Sequence, residues 1–296
     1  MNSRDRGNSA DSEMRIPVGT KILRSGAALH CNSGAYLVEL RLMLDPTLRF
    51  STRVENYVKY RPRYPREVIH TLRQECALTS SAVVADIGSG AGALAELFLQ
   101  SGNQVFAVEP NHEMREAAEK RLSGYGGFRS VAGRAEATAL GDRSVDFVVV
   151  GQAFHWFGIK ETRCEFLRIL RSSGWAMVVW NEREFETTPF MIAYDQLLQR
   201  YAPDYPRERH RRAYETGLPD FYGSCGFIER TFCYLQELDF AGVKGRLQSS
   251  SYTPEPGHPN FEPMMADLLK IYEHHEADGC VAFRYITRMY YGRLIG

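Results

Sequence analysis

The sequence predicts an α/β fold in which an open, mostly parallel sheet carries helices on both faces. Three observations lead there. From Ser81 onward short apolar runs alternate with amphipathic stretches, the pattern of repeated strand–helix units. The early runs are apolar nearly throughout, as strands buried on both faces must be. A glycine-dense motif, Asp86-Ile-Gly-Ser-Gly-Ala-Gly92, closes the first run and directly precedes a helical period.

Each element has a local reason. Ala82-Val-Val-Ala-Asp-Ile87 reads as the first strand, and Gly92 to Ser101 as the helix after it, with Leu94, Leu97 and Phe98 at i, i+3 and i+4. Gln104-Val-Phe-Ala-Val-Glu109 supplies the second strand. Pro110 is expected to open the next helix, where its missing N–H costs little, and Met114, Ala117, Ala118 and Arg121 continue it to Leu122. Phe128 to Ala132 is a short third strand and Ser144 to Val150 a fourth; Thr162 to Leu170 is helical, and Trp175 to Trp180 is a fifth strand. Beyond it Thr188 to Tyr201 and Phe261 to Glu276 have helical spacing, Phe227 to Leu235 reads as a strand, and Gly279 to Tyr291 suits an antiparallel partner at the sheet edge.

Composition bounds what this fold can do. The chain has 296 residues, 44% hydrophobic and 24% charged, enough for one α/β core with extensions. Lys plus Arg equals Asp plus Glu at 36 each, so no global field favours a polyanionic partner, and nucleic acid is not the expected substrate. The six cysteines show no CxxC pair or zinc spacing, and His274-His275 reads as an exposed helix end; no metal is expected. Without an apolar run of about 18 residues or a secretory layout, a cytoplasmic enzyme with no membrane attachment is the expectation. Residues 1–42 lack a clean period and read as a weakly ordered extension or a start site placed too early. Residues 43–296 then form one domain: a core over 45–181, a substrate-side insertion over 182–225 and closing elements over 226–296.

The glycine motif lets backbone approach a ligand above the carboxyl end of the sheet, where a helix start offers unpaired N–H groups. Gly88, Gly90 and Ala93 also satisfy the GxGxxA form used for nicotinamide and flavin dinucleotides, so the loop alone leaves the cofactor open. Glu109, ending the second strand, is placed to accept both ribose hydroxyls of a nucleoside, which either cofactor class requires.

Further segments separate the classes. Tyr60-Arg-Pro-Arg-Tyr-Pro65, the glycine loop with Glu109, Gly133-Arg-Ala-Glu136, Gly151-Gln-Ala-Phe-His-Trp-Phe157 and Gly245-Arg-Leu-Gln-Ser-Ser-Ser-Tyr252 together resemble the class I S-adenosylmethionine-dependent methyltransferases, in the branch that includes trans-aconitate methyltransferase. The likeness runs from about residue 45 to the C-terminus. It implies a Rossmann-like methyltransferase fold with a seven-stranded sheet, and S-adenosyl-L-methionine as cofactor. It also implies that Gly88, Ser89, Gly90 and Gly92 line the methionine part, with Asp86 organising the loop and Glu109 on the ribose. The turn after the third strand is expected to meet adenine, with the Ala135 backbone N–H against the ring; there Arg134 replaces the usual acid and cannot accept from the adenine amine, so either Glu136 substitutes, water does, or the contact is absent. Gln152 is expected at the methionine end, and Tyr57, Tyr60, Arg61 and Tyr64 as residues folding over it.

Methyl transfer from a sulfonium needs alignment and exclusion of water more than proton chemistry. His155 is the candidate base, needed only for an acceptor that must lose a proton; the same loop also reads as an apolar wall. Arg183, just past the fifth strand, is the candidate contact for an anionic acceptor. The leading expectation is a methyltransferase acting on a small molecule such as a carboxylate or hydroxyl. An RNA methyltransferase, a nicotinamide-dependent oxidoreductase and a non-catalytic cofactor-binding subunit are the alternatives.

Overall fold

The computed structural model describes residues 54–202, 205 and 217–295. The reading of residues 1–42, and residues 203, 204 and 206–216 of the insertion, therefore lie outside the described residues. Seven strands form one sheet in the order β3-β2-β1-β4-β5-β7-β6. They are β1 (Val83–Ile87), β2 (Gln104–Val108), β3 (Phe128–Val131), β4 (Val145–Gly151), β5 (Leu170–Arg183), β6 (Ile228–Leu238) and β7 (Val281–Gly292). The first five run parallel, and β7 pairs antiparallel with both β5 and β6. The helices are α1 (Val54–Tyr60), α2 (Glu67–Glu75), α3 (Ala93–Gln100), α4 (His112–Leu122), α5 (Ile159–Ile169), α6 (Pro189–Tyr201), α7 (Phe240–Gln248) and α8 (Phe261–His275).

Strand alternation sorts the side chains into two buried layers. Val84, Val105, Phe147 and Val149 meet Leu72 of α2 and Leu94 and Phe98 of α3. Their sequence neighbours Ala85, Val148 and Val150 face the other way, onto Phe166 and Ile169 of α5 and onto Leu218, Phe221 and Tyr222. A third cluster joins Tyr194 and Leu198 of α6, Val243 and Leu247 of α7 and Leu268 of α8 to Phe283 and Tyr285 of β7. Each such fully buried aliphatic or aromatic side chain contributes roughly 1.5–3 kcal/mol of burial free energy.

Three sequence expectations change. The helix after β2 does not begin at Pro110; Asn111 is its cap, its side chain accepting from the Met114 N–H at 2.8 Å. A free side-chain acceptor outcompetes proline as a start signal here because it satisfies one of the orphan N–H groups. The last strand is not at the edge. β7 lies between β5 and β6, and its residues Val281, Phe283 and Tyr285 point inward in alternation. β5 is also far longer than Trp175–Trp180: it starts at Leu170, through a register shift against β4, and runs on to Arg183 because β7 pairs with it to the end.

Candidate functional site

The site lies outside the carboxyl ends of β1, β2 and β4, where the strand order departs from the chain order and α/β sheets leave a crevice. The loop between β1 and α3 is strapped to the end of β2. The N–H groups of Gly88 and Ser89 both donate to the Val108 carbonyl, at 2.8 and 3.2 Å. Gly90 N–H donates to Glu109 Oε2 at 2.9 Å, and Glu109 Oε1 accepts from Asn111 N–H at 2.9 Å. Glu109 therefore locks the glycine loop to the start of α4 and is itself buried. Each carboxylate oxygen has a second lone pair, so both oxygens retain capacity to accept from a ligand.

Two glycines in the loop are glycine for different reasons. Both have left-handed backbones, at φ +67° for Gly88 and +54° for Gly90, a region that a side chain makes costly. A Cβ on Gly88 would stand 2.7 Å from that of Ala153 and 3.2 Å from the Phe157 ring, so the loop packs directly on the 152–157 segment. A Cβ on Gly90 would meet nothing within 4 Å. Among the described residues no protein atom occupies that space.

Asp86, wholly buried at the end of β1, is pushed up to about 7 by burial; the Ala95 N–H in the first turn of α3 pulls the other way, and Glu109 adds to the rise. Burial also raises Glu109, against the backbone N–H groups of Asn111 and Gly90. Ser89 Oγ is buried with no hydrogen-bond partner among the described residues.

The turn after β3 is closed by reciprocal hydrogen bonds between Arg134 and Ala137, both at 3.1 Å. Ala135 is buried within it, while Arg134 and Glu136 are exposed. Glu136 Oε1 accepts from Gly158 N–H at 2.9 Å, at the start of α5. Glu165, which the sequence reading passed over, anchors the turn: its Oε1 accepts from Thr138 N–H at 2.8 Å and Thr138 Oγ1 at 2.6 Å. The Arg168 guanidinium beside it holds its carboxyl down to about 2, aided by Thr138. A Glu three residues before an Arg on one helix face was the available signal, though it is equally the mark of an ordinary surface pair.

Gln152 reaches the crevice. Its backbone is left-handed at φ +58°, its N–H donates to the Val179 carbonyl at 3.1 Å, and its Nε2 donates to the Asn181 carbonyl at 3.1 Å. A strained non-glycine residue held by two hydrogen bonds at a ligand crevice is a common mark of a working site. With Arg61, Tyr64, Ala91 and Ala93 it lines a small cleft beside the glycine loop. Tyr60 is not among the cleft residues: its ring presses on α7 so closely that a Cβ at Gly245 would lie 2.0 Å from it. The side chain of Tyr57 lies outside the described residues. His155 sits on a short 3-10 turn, Phe154–Trp156, with its ring 4.4 Å from that of Trp156 and 5.1 Å from that of Trp180.

Arg183 lies deeper than a rim position implies. Its side chain is only 8% exposed, and Nη2 is 3.3 Å from Asp195 Oδ1 and 2.5 Å from the Tyr205 hydroxyl. No local pattern announces this burial, because the lengthened β5 and the return of α6 are what cover it.

A sheet in this order, with β7 alone antiparallel to its parallel strands and a glycine loop tied to an acid at the end of β2, defines the class I methyltransferase fold. Residues 85–178 match the family described as Methyltransferase domain. The chain is 32% identical over 161 residues to an uncharacterised methyltransferase-like protein of Schizosaccharomyces pombe, covering 53% of this chain and 60% of that one. It is 37% identical over 142 residues to an uncharacterised methyltransferase of Mycobacterium bovis, covering 47% and 55%. The matches thus span little more than half the length of these relatives. A solved structure assigned as a type II methyltransferase from Anaeromyxobacter dehalogenans has the same fold, with a TM-score of 0.61 at 20% identity over 80% of this chain and all of that one.

Proposed function

We propose that the chain is an S-adenosylmethionine-dependent methyltransferase acting on a small-molecule acceptor such as a carboxylate or hydroxyl. The observation that carries this reading is the space over Gly90, free of any described atom within 4 Å of an added Cβ, beside the buried acid Glu109 that accepts from the Gly90 N–H. The residues fit the cofactor. Glu109 has acceptor capacity left for ribose hydroxyls, the loop offers backbone approach, Ala135 presents main chain in the turn after β3, and Gln152 with Arg61 stands at the other end. When bound, the cofactor supplies an activated methyl group on a sulfonium.

What remains for this chain is to bind, align and exclude water. Glu109 fixes the loop and the ribose side. Trp156 and Trp180 pack their rings against His155. A carboxylate acceptor needs no base; for a hydroxyl acceptor His155 is the proposed proton acceptor. Calorimetry with S-adenosylhomocysteine and with NADH tests the cofactor, the first expected to bind and the second not. Preference for NADH would point to an oxidoreductase. Radiolabelled S-adenosylmethionine offered to pooled carboxylic acids, phenols and total tRNA tests the acceptor, with label expected in a small-molecule pool. Label in tRNA would refute the acceptor class.

A further inference from the structure

The segment that joins α1 to α2, residues 61–66, is neither helix nor strand. Its Arg61, Arg63 and Tyr64 line the cleft together with Ala93 of α3, Arg121 of α4 and Gln152. Groups on β5, on β6 and at the C-terminus of α7 hold one edge of it. Asn181 Nδ2 donates to the Arg63 carbonyl at 3.0 Å, Gln236 Nε2 donates to the Tyr60 carbonyl at 3.1 Å, and the Tyr234 hydroxyl accepts from the Arg63 N–H at 3.4 Å. Arg61 Nη2 donates to the Ser249 carbonyl at 3.0 Å. Toward α3 and α4 the attachment is ionic. Arg63 Nη1 donates to Glu96 Oε2 at 3.1 Å, and Arg121 Nη2 donates to the same oxygen at 2.5 Å. Glu96 stands one turn beyond the cleft-lining Ala93, so the ion cluster and the cleft share a face of α3.

Two guanidiniums thus converge on one carboxylate oxygen. Neither can shed its proton, so without the acid they repel each other. Their surroundings differ: the side chains of Arg121 and Glu96 are 13% and 14% exposed, that of Arg63 is 60% exposed. Arg121 lies in the last turn of α4 and stays with that helix, whereas Arg63 has water to retreat into and would take its segment along. An isolated exposed ion pair contributes little. Here the acid also cancels a repulsion, and what Arg63 carries is a wall of the cleft.

We propose that Glu96 is a latch: by neutralising Arg63 and Arg121 together it holds residues 61–66 closed on the cleft and slows escape of the bound cofactor. Glu96 is a positioning residue, acting through the two arginines. That the cofactor is S-adenosylmethionine rests on the methyltransferase reading; the closure rests on the ion cluster alone.

Two measurements on the full chain test the latch. Hydrogen–deuterium exchange of the ligand-free protein reads the segment directly: Glu96→Gln and Arg63→Gln should each speed exchange in peptides spanning residues 58–66 and leave β1 and β4 unchanged. Release of S-adenosylhomocysteine, followed by stopped-flow tryptophan fluorescence, should quicken by about three- to tenfold in Glu96→Gln and by less in Arg63→Gln. The double variant separates a latch from general damage. With one cation gone no repulsion remains, so it should release at the rate of Arg63→Gln and more slowly than Glu96→Gln, whereas independent structural losses would add. Should Glu96→Gln not fold, Arg63→Gln decides, since its side chain is exposed and its substitution leaves the core untouched. Unchanged exchange and release in Arg63→Gln, faster exchange with unchanged release, or additive effects in the double variant overturns the latch. Faster exchange in a chain that binds no S-adenosylhomocysteine would refute the methyltransferase reading and leave the closure by Glu96 standing.

Discussion

Replacing Asp86 by Asn should remove a specific pH dependence from the stability of this fold. Burial raises this carboxyl from 3.8 to about 7. A group whose folded pKa is raised contributes stability that is fully present below its unfolded pKa and is lost as pH climbs through the folded value. Below pH 4 Asp86 is protonated in both states; between about pH 4 and 7 the folded state alone holds the proton, so stability falls by about 1.4 kcal/mol per pH unit near the middle of that window. Integrated over a shift of about three units this reaches about 4 kcal/mol, and relaxation around an ionised carboxylate brings it to roughly 2–4 kcal/mol. Asn keeps the shape and has no proton to lose. Urea unfolding of both proteins at half-unit steps from pH 4.5 to 8.5 gives the difference in stability, in which all other titrating groups cancel. The wild type should lose roughly 2–4 kcal/mol relative to Asp86→Asn over that range. Parallel profiles would refute the reasoning, because they would mean that Asp86 ionises in the fold as easily as in the open chain.

The remaining predictions concern the loop and its supports. Glu109→Gln should weaken S-adenosylhomocysteine binding by roughly 1–3 kcal/mol in calorimetry, through lost charge-assisted hydrogen bonds to ribose and a looser Gly90. Gly90→Ala should lower the unfolding free energy by only about 1 kcal/mol of backbone strain while markedly weakening the cofactor analogue, whereas Gly88→Ala adds contact with Ala153 and should cost roughly 1–3 kcal/mol more in chemical denaturation. Glu165→Gln should cost about 1–3 kcal/mol at neutral pH. Because its folded pKa is depressed from 4.5 to about 2, the wild-type advantage should fade as pH drops through that interval in an acid-unfolding series. His155→Ala should leave S-adenosylhomocysteine affinity unchanged; its effect on turnover separates a carboxylate acceptor, little affected, from a hydroxyl acceptor, strongly affected.

The local grammar of this chain set the cofactor half. A run such as Val83–Ile87, apolar at nearly every position, must be buried on both faces, and glycines at Gly88 and Gly90 followed at once by a helix announce a backbone-lined ligand loop without knowledge of any distant residue. Glu109 was legible for the same reason, being fixed by its position at the end of β2, although its hydrogen bonds to Gly90 and Asn111 were not. The other half depended on contacts between residues far apart in the chain, which no spacing records. β7 enters between β5 and β6 because its inward residues complete a core that α6, α7 and α8 build together. That insertion lengthens β5 to Arg183, covers its side chain with Asp195 and Tyr205, and brings Arg246 and Tyr252 into the same field. In the sequence Arg246 is one more charge on a short helix. Only packing, by removing water from it, makes it a buried charge held by the hydroxyls of Tyr285, Ser249 and Ser250.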